Sequence, residues 1–241
     1  MKKIGVQNIH PSVRFGYGVA VRGKTRIGKN SYIGDYCILG APSFHSIKEN
    51  VEGNGCRIGK LCLLRQYNVI YENTEIGDQV ETSAFVHVRE NTVIGAKTYL
   101  NTHVCVENDV KLGSRIRIAE HAIVGKGSVI HDDSFLGGSS MLAWDKKMDG
   151  THAPVVLGRG ARVADNVTII GGVELGIGCM IGANSVVTHD VPAWSIVFGV
   201  PAKVVRKVTL EEVTIFNDVL NKRYGKVKPS ILDLYLDTHT R

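Results

Sequence analysis

The 241-residue sequence predicts an all-β chain wound as a triangular coil of short parallel strands, with short helices at its C-terminus. Three observations carry that prediction. First, an inward position recurs every six residues: Ile58, Leu64, Ile70, Ile76, Thr82, Val88, Ile94, Leu100, Val106, Leu112, Ile118, Val124, Ile130, Leu136 and Leu142. Fourteen of those fifteen are Leu, Ile or Val, where composition alone gives about four. Second, glycine follows the aliphatic residue again and again, as at Gly59, Gly77, Gly95, Gly113, Gly125, Gly137, Gly158, Gly176 and Gly182. Third, a small or β-branched residue stands four positions on, as at Thr74, Val86, Thr98, Ala122, Ser128, Ser134 and Ser140. Two inward residues in every six make a short strand, and the Gly-rich positions make the turn. Three such hexads close a coil of 18 residues, and coils stack about 4.8 Å apart.

The elements follow in order. An N-terminal run reads Val21, Ile27, Ile33 and Leu39. The step from Leu39 to Ile58 is then 19, one more than a full coil, and it contains Gly40-Ala41-Pro42-Ser43-Phe44-His45. A polar stretch with Gly and Pro loops out more readily than it distorts a coil, so residues 40–57 are expected to leave the frame. The step from Leu142 to Leu157 is 15, three more than two hexads, and predicts a second looped-out segment at 143–156. The period resumes through Leu157, Val163, Ile169, Leu175, Ile181 and Val187, and is expected to end after Pro201. Residues 209–223 read as a helix capped by Thr209, with Leu210, Val213, Phe216 and Leu220 on one face. Residues 230–236 read as a second short helix against a coil end or a neighbouring subunit. The expected organisation is a coil domain over 1–206 and a helical tail over 207–241.

Composition bounds the function. Hydrophobic residues at 44% and charged residues at 22% exclude disorder and collagen. No apolar run approaches the roughly 20 residues that span a bilayer, so no membrane partner is expected. The basic start Met1-Lys2-Lys3 is followed by no apolar core between Ile4 and His10, so a cytoplasmic protein is expected rather than an exported one. The net charge of +6, without a Lys/Arg cluster or an RNA-binding signature, fits an anionic small molecule and no nucleic acid. Of the five cysteines, Cys37, Cys56, Cys62 and Cys179 fall on the small inward position and Cys105 does not. They read as structural thiols in a reducing compartment, with no metal or disulfide framework.

In such a coil, residues 18 apart lie one above the other. Among the nine histidines that spacing joins His103 and His121, each three positions after its aliphatic residue and therefore outward at the same corner. Their column continues to Ser139 above and to Phe85 and Tyr67 below. Outward corner histidines are either solvated turn residues or a general base with a proton affinity near neutrality. Arg65, Arg89, Glu90, Asn101, Glu107, Asn108 and Glu120 are expected around this column, where Arg89 and Glu90 either hold a polar substrate or form a solvated ion pair.

The C-terminal part is the most specific. Asn166-Val167-Thr168-Ile169-Ile170-Gly171-Gly172-Val173 precedes Ile181-Gly182-Ala183-Asn184-Ser185-Val186-Val187-Thr188-His189-Asp190-Val191-Pro192, and then Gly199-Val200-Pro201-Ala202-Lys203-Val204-Val205-Arg206. With the hexads, this run resembles the hexapeptide-repeat acyltransferases over roughly residues 15–206. The resemblance implies a left-handed parallel β-helix, a homotrimer, and acetyl-CoA or a related acyl-CoA as co-substrate, with no metal. It places Ser139, Ala164 and Gly182 along the thioester arm, and Lys203 and Arg206 near the CoA phosphates, where cations are natural partners. Leu39-Gly40-Ala41-Pro42, Leu64-Arg65, Val69-Ile70-Tyr71 and Val88-Arg89-Glu90-Asn91 are similar to a subgroup acting on nucleotide-linked amino sugars and related O-acyl acceptors. The implied substrate contacts are Arg65, Arg89, Glu90 and Asn101.

The expected reaction is acetylation of the amine of a nucleotide-activated amino sugar. His121, oriented by Glu120 or a neighbour's side chain, removes the proton; His103 is the second candidate base; an outward backbone N–H meets the oxyanion. Ala119-Glu120-His121 stands where amino-sugar N-acetyltransferases carry an Asn-rich turn. A true base suits the alternative acceptor, a sugar or antibiotic hydroxyl, because a hydroxyl needs one more than an amine does. A hydratase of the γ-carbonic-anhydrase type needs three histidines on Zn²⁺, two of them about five residues apart, and His121 has Lys126 at that spacing. A non-catalytic scaffold leaves residues 199–206 without a ligand to explain them.

Overall fold

The computed structural model describes residues 2–3 and 8–239, so Met1, residues 4–7 and the last two residues lie outside the described part of the chain. The inward hexad positions form one continuous core: all fifteen residues from Ile58 to Leu142 are buried, Thr82 among them. Short strands stack into three sheets of ten, nine and eleven members among the described residues, parallel except for the last strand of the third, one on each face of a triangular solenoid. The 18-residue register holds where the hexads are uninterrupted, as in His87 beside Cys105 and Cys105 beside Ile123 on the first face. Visiting the faces in the order first, second, third, the chain turns three corners per coil.

Both interruptions differ from what counting residues gives. Ile27 pairs with Ile58, Ile33 with Leu64 and Leu39 with Ile70, each 31 residues on, so the 19-residue step is one hexad plus a 13-residue insertion. Ile130 pairs with Leu157 and Leu142 with Ile169, 27 residues on, so the 15-residue step is one hexad plus nine. The loops replace a corner and add no side to the triangle, because the chain re-enters on the very next face. Both leave from the corner between the first and second faces, five coils apart, which is about 24 Å.

The first loop holds a feature the hexad pattern does not reveal, a short helix α1 (Phe44–Lys48) capped by Ser43. It is tied down by Glu72 on the next coil, a buried carboxylate that accepts from the Ser43 N–H (2.8 Å), the Ser46 hydroxyl and the Asn54 N–H (2.7 Å). Burial pushes this carboxyl up, but those hydrogen bonds outweigh it and hold it below the ordinary value. In the second loop the Asp145 carboxylate accepts from the N–H groups of Lys147, Met148 and Gly150.

Regular hexads end at Val187. A last, uneven coil runs through Val191, bridged to Leu175 on the second face, to the strand Ser195–Gly199 on the third. That strand folds back antiparallel as Ala202–Lys207, so residues 199–206 form the turn and return arm of a hairpin. Trp194, at its base, lies over Gly178, whose φ of +62° and lack of a Cβ leave room for the indole. Helix α2 (Leu210–Tyr224) begins at Thr209 with a reciprocal capping box to Glu212. Val213 is buried and Phe216 and Leu220 pack beside it, but Leu210, expected on that face, is 49% exposed because it precedes the contact. Helix α3 (Ile231–His239) is longer than expected. The two helices cover the third face through Trp194, Ile196, Val208, Val213 and Ile231, with the Arg162 guanidinium 4.4 Å from the Phe216 ring. Asp133, nearly buried, binds Arg115 (2.6 Å) and Arg159 (2.7 Å), and Arg159 reaches on to the Pro229 carbonyl. No described helix is long and apolar enough to cross a membrane.

Candidate active site

At each regular corner the third residue adopts the left-handed backbone conformation. At the corner between the third and first faces those residues are Gly18 (φ 67°) and then Tyr36, Tyr67, Phe85, His103, His121, Ser139, Asn166 and Asn184, with φ between 55° and 61°. Bulky side chains rarely accept that conformation. The corner with the two loops fills it with Asn73, Asn91, Asp109 and Gly127 instead. What the first set gains is a column of stacked rings. Centroids are 5.3 Å apart for Tyr36–Tyr67, 4.9 Å for Tyr67–Phe85, 4.9 Å for Phe85–His103 and 5.0 Å for His103–His121. Tyr17 meets Tyr36 edge-on at 5.5 Å. Sequence spacing reaches only as far as Tyr67, because the 13-residue insertion moves Tyr36 off the 18-residue step.

Above His121 the rings stop. The same corner continues with Gly137, Gly138 and Ser139, then Ala164, then Gly182, a strip of small residues. Asn166 donates to Asn184 along it at 2.7 Å. The hairpin closes its upper end: the Phe198 ring lies against Gly182, where a Cβ has no room, and the Gly199 N–H donates to Ser185 Oγ (3.1 Å). Lys203 pairs with Phe198 across the hairpin and is exposed. His103, His121 and Ser139 take the third position of this corner on successive coils, Ala164 and Gly182 its first position on the two coils above, and Lys203 pairs with Phe198 on the hairpin. Arg65 and Asn101 share this corner, on coils below His121.

Other expectations need correction. Arg89 and Glu90 lie at the loop corner, across the first face, in a network of Arg89 with Glu90 (2.9 Å) and Glu107 (3.1 Å). The hexad phase decides this: they follow Val88 on the first face, whereas His103 and His121 follow Leu100 and Ile118 on the third. Glu120 does not orient His121; its carboxylate accepts from Asn101 Nδ2 at 2.9 Å. Among the described residues the His121 ring makes its stack and no hydrogen bond. Arg206 is held by Glu212 through two contacts of 2.7 and 3.0 Å, so its guanidinium serves the start of α2. Arg206 and the Thr209 N–H bring the Glu212 carboxyl down to about 2.

The outward Gly138 N–H, a candidate oxyanion donor, is taken by Asp165 Oδ1 at 2.7 Å. Burial pushes the thiols of Cys37 and Cys62 up to about 11, those of Cys56 and Cys179 to about 12, and half-buried Cys105, also beside Glu107, to about 11. A thiol so placed is no nucleophile at neutral pH. No group of three or more His, Cys, Asp or Glu among the described residues could hold a metal ion. A cavity of about 530 Å³ opens on the second face beside His131, Glu174 and Pro192, whereas His103 and His121 stand exposed on an edge.

No family model matches the chain. Serine acetyltransferase 2 of Arabidopsis thaliana is 39% identical over 89 residues, 37% of this chain and 25% of that protein. The likeness is to acetyltransferases. WbbJ of Escherichia coli (strain K12), described as a lipopolysaccharide biosynthesis O-acetyl transferase, is 40% identical over 57 residues, 24% of this chain and 29% of that one. The chain spans about a quarter to a third of the length of these curated relatives. Among solved structures, a hexapeptide-repeat-containing acetyltransferase of Vibrio cholerae with acetyl coenzyme A is 24% identical, over 48% of this chain and 70% of that one, at a TM-score of 0.37. The polySia-specific acetyltransferase NeuO is 18% identical over 92% of this chain and 96% of that one, at a TM-score of 0.43.

Proposed function

We propose that the chain is an acyl-CoA-dependent acyltransferase, with acetyl-CoA as co-substrate and a hydroxyl of a sugar-type small molecule as acceptor. The observation that carries this reading is the position of His121. It is the last ring of the column, exposed, free of hydrogen bonds among the described residues, and directly below the strip of Gly137, Gly138, Ser139, Ala164 and Gly182. Small side chains let a slender thioester arm lie against the backbone, and Lys203 stands where the hairpin can meet anionic phosphates.

The acceptor oxygen attacks the thioester carbonyl while His121 takes its proton. The new C–O bond forms, the C–S bond breaks, and the departing thiolate receives the proton back from the imidazolium. Asp165 must release the Gly138 N–H if that group is to face the oxyanion. The choice of hydroxyl over amine rests on the presence of a base, which a hydroxyl needs more, and on the O-acetyl transfer in the WbbJ relative's name. The nucleotide-linked amino sugar of the sequence reading is the competing acceptor.

A closed homotrimer belongs to this reading. The outward residues of the first face include Ile38, Val69, Ile123, Met141 and Val186, an apolar surface between the histidine corner and the loop corner. Three-fold packing of a prism covers such faces. Arg89 and Glu90 then reach the acceptor only across a subunit interface. Unpaired thiols and a CoA substrate fit a cytoplasmic setting.

Calorimetric titration with acetyl-CoA and with desulfo-CoA tests the class: about one site per subunit is expected, and no binding at millimolar ligand overturns it. Mass analysis of products from hydroxyl-only and amino acceptors then separates an ester from an amide.

A further inference from the structure

We propose that the stacked rings below His121 are the device that orients it, and that His103 is a positioning residue rather than a second base. The proposal rests on the reading of His121 as the base. A base of this kind needs a partner that fixes its ring, commonly a carboxylate hydrogen-bonded to the far nitrogen. Here the nearest carboxylate in sequence, Glu120, is engaged by Asn101, and no carboxylate among the described residues meets the His121 ring.

A different constraint is present. His121 lies at 15° to the His103 plane, His103 at 5° to Phe85, Phe85 at 4° to Tyr67 and Tyr67 at 5° to Tyr36. Five consecutive coils thus place a ring in the left-handed backbone conformation, where the loop corner takes Asn, Asp or Gly and the third corner takes Leu61, Gln79, Lys97 and Arg115 with no rings to stack. The column ends at His121, so His103 covers one face of its imidazole and leaves the other toward Ser139 and the small-residue strip. Both nitrogens lie in the ring plane, so a fixed plane directs the lone pair of one and the N–H of the other to the edge of the column. His103 differs: Phe85 and His121 cover both of its faces.

Two variants of the full chain separate the roles. His103→Phe keeps the ring and removes the nitrogens; His103→Asn removes the ring and keeps a residue suited to the left-handed backbone. In protein carrying ¹³C-labelled histidine, the His121 ring signal is expected to be shifted upfield by the neighbouring ring, to stay so in His103→Phe and to lose the shift in His103→Asn. Acetyl transfer is followed as release of CoA thiol from acetyl-CoA, with the acceptor found by product analysis or with water. The turnover of His103→Phe is expected within about threefold of the parent, and that of His103→Asn about tenfold or more below it, with KM for acetyl-CoA unchanged.

Equal loss of turnover in both variants overturns the proposal, since His103 then works through its nitrogens. An unchanged His121 signal in His103→Asn overturns it as well, whatever the turnover. Transfer that survives His121→Ala instead removes the base reading, and the labelled-histidine spectra still decide whether the column holds the ring.

Discussion

His121 and Cys105 are both outward residues, and opposite surroundings give them opposite expectations. His121 is exposed and unbonded at its edge. Its replacement by Ala is expected to lower turnover by about 10²–10⁴-fold, the usual contribution of a general base, with acetyl-CoA affinity nearly intact; steady-state kinetics and calorimetry on the same preparation check it. Cys105 is half-buried beside Glu107, its thiol pushed up to about 11 by burial first and the carboxylate second. It is still the least covered of the five cysteines. Timed alkylation with iodoacetamide at pH 8, read by peptide mass, is expected to label it slowly and before the other four in separated subunits, and more slowly once the proposed trimer covers the first face. At this scale the sequence reveals which residues stack, because 18-residue spacing is a property of the strand register. Which corner Arg89 shares is written there too, since Val88 and Leu100 are two hexads apart; that Arg206 is claimed by Glu212 is not, because it depends on a helix docking from outside the repeat.

The helices at the C-terminus are pinned by carboxylates at their first turns. Glu212 is brought to about 2 by Arg206 and the Thr209 N–H, and Asp233 to about 2 by the Ser230 N–H and Lys228. Both values are depressed, so the stability they contribute is present above the ordinary carboxyl values of 4.5 and 3.8 and is lost as pH falls toward 2. Helices α2 and α3 are therefore expected to loosen from the third face over that interval, before the solenoid core responds. Trp194, whose ring centroid is 5.0 Å from that of Tyr235 in α3, reports it by fluorescence in a Trp144→Phe background. Helix α2 is legible in the sequence because Thr209 and Glu212 form a capping box at the spacing such boxes require. Helix α1 is not, because its five residues are too few to show a period. A buried carboxylate on another coil, Glu72, holds its loop.

Across the whole molecule, each coil rests on its two neighbours, so stability is a sum of local contacts. Leu100 is fully buried at the centre of the stack. Leu100→Ala is expected to cost about 2–5 kcal/mol, the usual range for a large-to-small core change. Hydrogen exchange is expected to show lost protection in the coils carrying Thr82 and Ile118 before the terminal ones. The fold is legible almost entirely, since fourteen aliphatic residues in fifteen hexads leave few other ways to bury them. The two interruptions resist counting for a physical reason: a loop's length carries no information about where it returns, and only strand pairing shows that both re-enter one face later.

That return has a consequence for descent. A corner's two ends stay one hexad apart whatever lies between them, and this chain carries thirteen extra residues at one coil, nine at another, and none at the four coils between. Lineages can lengthen, shorten or exchange what stands beside the first face by single insertions and deletions, with no compensating change in any strand. New recognition can arise there while the old architecture is inherited whole.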